Sequence, residues 1–348
     1  MSEALVPAAP AGSRPVDRSG TGPGSAPGGG GGLPRTGSAS GLRRGDRIFR
    51  GMSVGAGILL LGIILAIGVF LVAKAIPALR ENTASFLTSK EWASNTSPPA
   101  FGIAALAFGT LLSSLLALVL AFPVAMGVAL FISHYAPRRL AGLLGYVIDL
   151  LAAVPSVVYG LWGIFFLNDR ILDTSAFLHD HVGWLPLFAS DGIYGRSIFL
   201  AGVVLAIMIL PIIASLSREV FLQVPAAHQE AALALGATRW EMVRVAVLPF
   251  GRPGVIGATM LGLGRALGET IAVALVLSPA FVVSLHILEP SSGNTIAANI
   301  ANGFGEAGPT GRGALIASGL VLFAITLAVN MAARAVIHRR REFSGDAR

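Results

Sequence analysis

Cysteine is absent from the 348 residues. Disulfide staples, thiolate metal sites and cysteine nucleophiles are therefore excluded, and the redox compartment is left unread. Lysine is nearly absent, with Lys74 and Lys90 the only two. A phosphate-cradling P-loop needs Gly-x4-Gly-Lys followed by Ser or Thr. Lys74 precedes Ala75 and Lys90 precedes Glu91, so neither fits that pattern. Any ATP hydrolysis by the usual route belongs to a partner. Charge of either sign is scarce at 12%, against about 25% in an ordinary soluble domain. The histidines, His134, His179, His181, His228, His286 and His338, are scattered through loops or near the ends of apolar stretches. They form no metal-ligand spacing and read as solvated loop residues, and no cofactor is expected.

Apolar residues fill the space those absences leave. They make up 54% of the chain, and mean hydropathy is +0.75. So much apolar surface does not fit inside one soluble core, and the bilayer becomes the expected solvent. The net charge of +7 admits two readings, nucleic-acid binding or basic loops flanking membrane spans. The second is adopted, with no nucleic-acid partner.

Residues 1–45 are rich in Gly, Pro, Ser and Ala and include GGGGG at 28–32. Such a segment buries too little to offset its ordering entropy, so a disordered tail is predicted rather than a signal peptide. Six apolar stretches follow, at 52–75, 101–132, 141–167, 197–216, 254–279 and 313–336. A span needs about 20 residues, which predicts an all-α integral membrane domain over 46–340 with six transmembrane helices and a short tail, 341–348. Pro123, Pro155 and Pro211 fall inside spans, where kinks are tolerated. Arginines cluster on one side: Arg43, Arg44, Arg47 and Arg50; Arg138 and Arg139; Arg218, Arg239, Arg244 and Arg252; and Arg339 to Arg341. By the positive-inside rule, both termini and the loop 217–253 are predicted cytoplasmic.

That loop reads SREVFLQVPAAHQEAALALGATRWEMVRVAVLPFGRP. Pro225 can open a helix and Gly236 close it in a left-handed conformation. Thr238 with Glu241 three residues on predicts a capping box for a second helix, ended at Leu248-Pro249. An amphipathic helix lying on the membrane is the alternative.

The stretch GLGRALGETIAVALVL, 262–277, places Arg265 and Glu269 four residues apart in an apolar span. From Pro253, Arg265 lies about 18 Å along a helix, near mid-bilayer, with Glu269 one turn further. Each charge costs roughly 2.5–3.5 kcal/mol there. Two readings stay open. The pair is a self-neutralising i,i+4 salt bridge, or Arg265 lines an anion path whose grip Glu269 tempers. Gly262, Gly264 and Gly268 serve close helix packing or widen that path. Asp149 is a third intramembrane charge, suited to a hydrogen bond with a neighbouring helix or to transport. Ser156 and Tyr159, after Pro155, are candidate hydroxyl donors to an anion.

Glu230-Ala231-Ala232, then Gly236, then Leu248-Pro249 resembles the EAA loop of ABC importer permeases, EAA-x3-G-x9-I-x-LP. The spacing matches throughout, and Ala246 replaces the Ile. With LLAAVPSVVYGLWG at 150–163, GLGRALGETIAV at 262–273 and NTIAANIANGFGEA at 294–307, residues 50–340 are similar to the PstC-type permeases of phosphate-specific ABC importers. The resemblance implies the type I ABC importer permease fold in a bacterial plasma membrane. It implies a PstA-type permease partner, a PstB-type ATPase dimer that the EAA loop docks into, and an extracytoplasmic phosphate-binding protein meeting the loops 168–196 and 280–312. It also links Arg265 and Glu269 to phosphate translocation. A secondary anion transporter or channel would explain the charges without the loop, and an ABC permease for another oxyanion would explain both. A membrane enzyme lacks a convincing nucleophile or metal set.

Overall fold

The computed structural model of the protein describes residues 39–343, with side-chain surroundings for 45–335. The predicted disordered tail therefore lies outside the described residues up to position 38, as do residues 344–348 and the side chains of Arg43, Arg44, His338 and Arg339 to Arg341. Two compact units divide at Leu61–Gly62. In the first, the described element is the opening of helix α1 (Ala39–Glu81), which starts inside the predicted tail. Every side chain from Gly45 to Leu61 is exposed. Helix α1 overruns the predicted span 52–75 at both ends, running through Gly41, Gly45 and Gly51 before it and through Pro77 after it.

In the second unit, the end of α1 is followed by a small hairpin. Strand β1 (Trp92–Ala93) pairs antiparallel with β2 (Ala100–Phe101), Trp92 opposite Phe101. Helix α2 (Ala104–Leu130) runs into one π-helical turn, Phe131–Tyr135. One stripe of α2 is small and buried at every fourth residue: Ala105, Gly109, Ser113, Ala117, Ala121, Ala125 and Ala129. Lipid tails are as apolar as leucine, so helices here associate by close packing, which small residues permit.

The predicted span 141–167 is not one helix. Helix α3 (Arg138–Ala152) and a second rod, α4 (Ser156–Trp162), a π-turn at Gly163–Leu167 and α5 (Asn168–Val182), meet at a 90° bend. Pro155 breaks the helix rather than kinking it. Its own ψ is 138° and it sits immediately before α4, because proline is a poor helix interior and a good helix opening. Pro137 (ψ 146°) opens α3 in the same way, and Pro225 (ψ 133°) opens α7. Helix α5 also fills part of 168–196, predicted as an external loop, and carries His179 and His181, which are therefore not loop residues.

Helix α6 (Ile198–Leu222) is the central rod, buried on nearly every side from Ile198 to Ala214. It packs on α2, where a Cβ at Gly202 would fall 2.5 Å from Leu116 Cδ2. The loop 217–253 folds as α7 (Ala226–Ala234) and α8 (Arg239–Met242). A π-turn, Val243–Val247, then joins α8 to α9 (Leu248–Leu267). The expectation that Leu248-Pro249 ends the second helix is therefore overturned. The missing Pro249 donor falls just after the π-turn, whose closing bond runs from Leu248 N–H to Val243 O, five residues back. The widened turn takes up the place where proline cannot donate. Short helices α10 (Ile271–Val276) and α11 (Ile296–Gly303) precede the long α12 (Pro309–Phe343). Among the described residues, five helices are long and apolar enough to cross a membrane, or six if the bent pair is one span.

Candidate functional site around Arg265

The predicted span 254–279 also breaks, and the break decides the geometry of its two charges. Helix α9 ends at Leu267, Gly268 caps it, and α10 begins only at Ile271. Within the break, the Thr270 hydroxyl donates to Gly268 O at 3.1 Å and Glu269 accepts the Ala272 backbone N–H at 3.3 Å. Short polar side chains that bond the local backbone compete with helix continuation. Arg265 is in the last turn of α9, while Glu269 lies beyond the helix end. The i,i+4 salt bridge is not formed, and no ion pair to Arg265 occurs among the described residues. Glu269 is buried and serves α10 as a cap.

Arg265 lines a groove of about 820 Å³ between α9, α6 and α12. Gly264 shares the lining, as do Ile212 of α6 and Asn330 and Arg334 of α12. No carboxylate lines it, and Arg334 also lacks an ion pair among the described residues. Two guanidinium groups without counter-charges on low-dielectric walls create a field that draws anions. Sequence reasoning missed Asn330 and Arg334. The available signal is their i,i+4 spacing inside the apolar span 313–336.

The glycines divide between the two readings. A Cβ at Gly262 would lie 2.7 Å from Ile213 Cγ1, so Gly262 serves close packing. At Gly264 a Cβ would meet nothing within 4 Å, so the absent side chain leaves the groove open. Gly268 caps α9.

Tyr159 and Ser156, both on α4, are partly buried. The Tyr159 hydroxyl donates to Leu151 O at 2.8 Å, across the Ala153–Pro155 break. That proton is spent on fastening the bend and is not offered to an anion. Asp149 belongs elsewhere. It accepts from Ser215 Oγ at 2.5 Å and pairs with Arg218 at 3.5 Å, tying α3 to α6. Gly145 clears the way, since a Cβ there would fall 2.0 Å from an Arg218 guanidinium nitrogen. Among the described residues no group of three or more His, Cys, Asp or Glu could hold a metal ion.

In the loop, Gly236 takes φ +86°, the left-handed conformation predicted for the close of α7. The Thr238–Glu241 capping box is present in both directions. Helix α7, carrying Glu230, Ala231 and Ala232, has no fully buried residue, and it rests on the cluster of Phe221, Val243 and Val247 through the partly buried Ala232. Leu233 near its end, Leu235 just after it and Trp240 of α8 stand exposed, and Leu248 and Pro249 begin α9.

The family model described as "Binding-protein-dependent transport system inner membrane component" matches residues 121–342. The chain is 50% identical over 299 residues to phosphate transport system permease protein PstC 2 of Mycobacterium tuberculosis, covering 84% of this chain and 92% of that protein. It is 48% identical to PstC of Mycobacterium leprae, with 84% and 93% covered, and 45% identical to PstC of Xylella fastidiosa, with 77% and 83% covered. The chain is a multi-pass membrane permease, and it belongs to the family of inner membrane components of binding-protein-dependent transport systems.

Proposed function

We propose that the chain is one of two permease subunits of an ATP-driven importer of inorganic phosphate. The observation that carries this reading is Arg265, without an ion pair among the described residues, lining an open groove together with Arg334 and Asn330. Arginine suits a phosphate because its charge is permanent and its fork of donors matches an oxygen face. Relatives named as phosphate permeases at 45–50% identity support the choice of anion. The groove forms one wall of the path, and a PstA-type subunit supplies the other. The exposed α7 with Leu233 and Leu235 is the seat of a PstB-type ATPase dimer. Arginine asymmetry supports cytoplasmic termini in a bacterial plasma membrane, and an extracytoplasmic binding protein delivers phosphate from the other side.

The test is uptake of radiolabelled phosphate into proteoliposomes holding the four-subunit complex, with ATP inside or outside. Arg265→Ala abolishes uptake while leaving assembly and basal ATP hydrolysis intact. Wild-type uptake by Arg265→Ala would remove Arg265 from the path, and uptake without ATP would make the chain a secondary transporter.

A further inference from the structure

The second unit holds another recess, of about 520 Å³, between the β1 strand and the segment 279–315. A shallower one of about 370 Å³ shares Ser94, Asn95, Thr96 and Glu306 with it. Their chemistry is the reverse of the Arg265 groove. Among the described residues, Glu306 is the one ionisable side chain lining either recess, and no lysine, arginine or histidine does so. Asn294, Asn299 and Asn302 contribute amides. Asn299 is only 6% exposed, yet its Nδ2 has no hydrogen-bond partner among the described residues. One wall is aromatic, Trp92 and Phe281 stacking at 6.2 Å and 16°.

The seat is built before any ligand reaches it. Thr110 on α2 accepts the Ile296 N–H at 2.9 Å, and Thr295 caps α11 through Ala298 N–H. A Cβ at Gly109 would fall 2.1 Å from Asn294 O, so α2 presses directly on the recess floor. Asn95 Oδ1 accepts Gly308 N–H at 3.2 Å, which joins the hairpin side to the start of α12.

We propose that this recess receives an arginine side chain of the protein that delivers substrate to the permease. A guanidinium carries only donors, which suit the Glu306 carboxylate and the amide oxygens, and its plane stacks on an aromatic wall. Of the Asn299 amide, only the oxygen can accept from such a cation. Phosphate itself is a poor occupant, because the recess offers it no cation and one repelling carboxylate. The proposal rests on the permease reading, with residues 280–312 on the outer side.

The test uses the complete complex in nanodiscs and its own phosphate-loaded binding protein as the probe. Affinity is measured at low salt and at about 0.5 M salt, where the Debye length falls below 5 Å. Glu306→Gln and Asn299→Ala each weaken binding about tenfold at low salt, and the Glu306→Gln difference shrinks at high salt. Glu306→Lys weakens it further, and one arginine-to-glutamate change on the binding protein restores it. Basal ATP hydrolysis stays at wild-type level, which shows that the variants fold. Unchanged affinity in Glu306→Lys overturns the proposal while wild-type phosphate uptake keeps the permease reading. An effect that follows phosphatidylethanolamine content instead makes the occupant a lipid headgroup and also overturns it. A wild-type complex that captures no binding protein and takes up no phosphate overturns both.

Discussion

The Glu269 carboxylate accepts the Ala272 N–H at 3.3 Å, across a helix break from Arg265, so two charges four residues apart act on different elements. Their substitutions should therefore differ. Glu269→Gln keeps an acceptor oxygen for α10 and is expected to retain phosphate uptake within a few-fold of wild type. Glu269→Ala removes the cap, at a cost of about 1 kcal/mol, and uptake falls further. Initial uptake rates in proteoliposomes separate the two. Loss in Glu269→Gln as deep as in Arg265→Ala would show that the charge, and not the cap, is used.

Glycines in one motif give opposite phenotypes. Gly262→Ala meets Ile213 at 2.7 Å, and the flexible end of that side chain must shift. Overpacking of this kind costs about 1–3 kcal/mol, read as a lower unfolding midpoint in detergent. Gly264→Ala meets nothing and leaves the midpoint unchanged, while Gly264→Leu fills the groove and blocks uptake in a stable protein. Equal midpoints for Gly262→Ala and wild type would contradict the packing.

The Asp149–Ser215 contact joins α3 to α6 away from the groove. Asp149→Asn and Ser215→Ala, combined in a double-mutant cycle of unfolding, should show a coupling of about 1 kcal/mol. Uptake per folded molecule is expected to stay at wild-type level. A transport defect in Asp149→Asn without a stability change would restore a path role.

In the loop, Gly236→Ala forces a side chain into φ +86° at a cost of about 1–2 kcal/mol. Thr238→Ala deletes the capping box for about 1 kcal/mol. Both are expected to lower the ratio of phosphate imported to ATP hydrolysed more than they lower hydrolysis. An unchanged ratio would separate this loop from coupling.

Local devices were the most legible in sequence. Gly236 and the Thr238–Glu241 box were readable because each depends on a few adjacent residues. So were the long apolar helices. Breaks inside apolar runs were not readable. Pro155 and Gly268-Glu269-Thr270 interrupt hydropathy too briefly to divide a stretch, yet each redirects the backbone. The continuity of α8 into α9 was equally hidden, since a π-turn absorbs Pro249 where proline usually signals a stop. Arg265 was found because a charge in an apolar span stands out. The roles of Tyr159 and Asp149 depended on partners eight and sixty-six residues distant, which spacing does not reveal.

That π-turn has a mechanical corollary. It leaves Arg239 to Leu267 one unbroken helical run of 29 residues, about 43 Å long, that links the loop to Arg265. A tilt of a few degrees at the foot of such a run would displace its head, where Arg265 sits, by about 2–4 Å if the run moved as one piece.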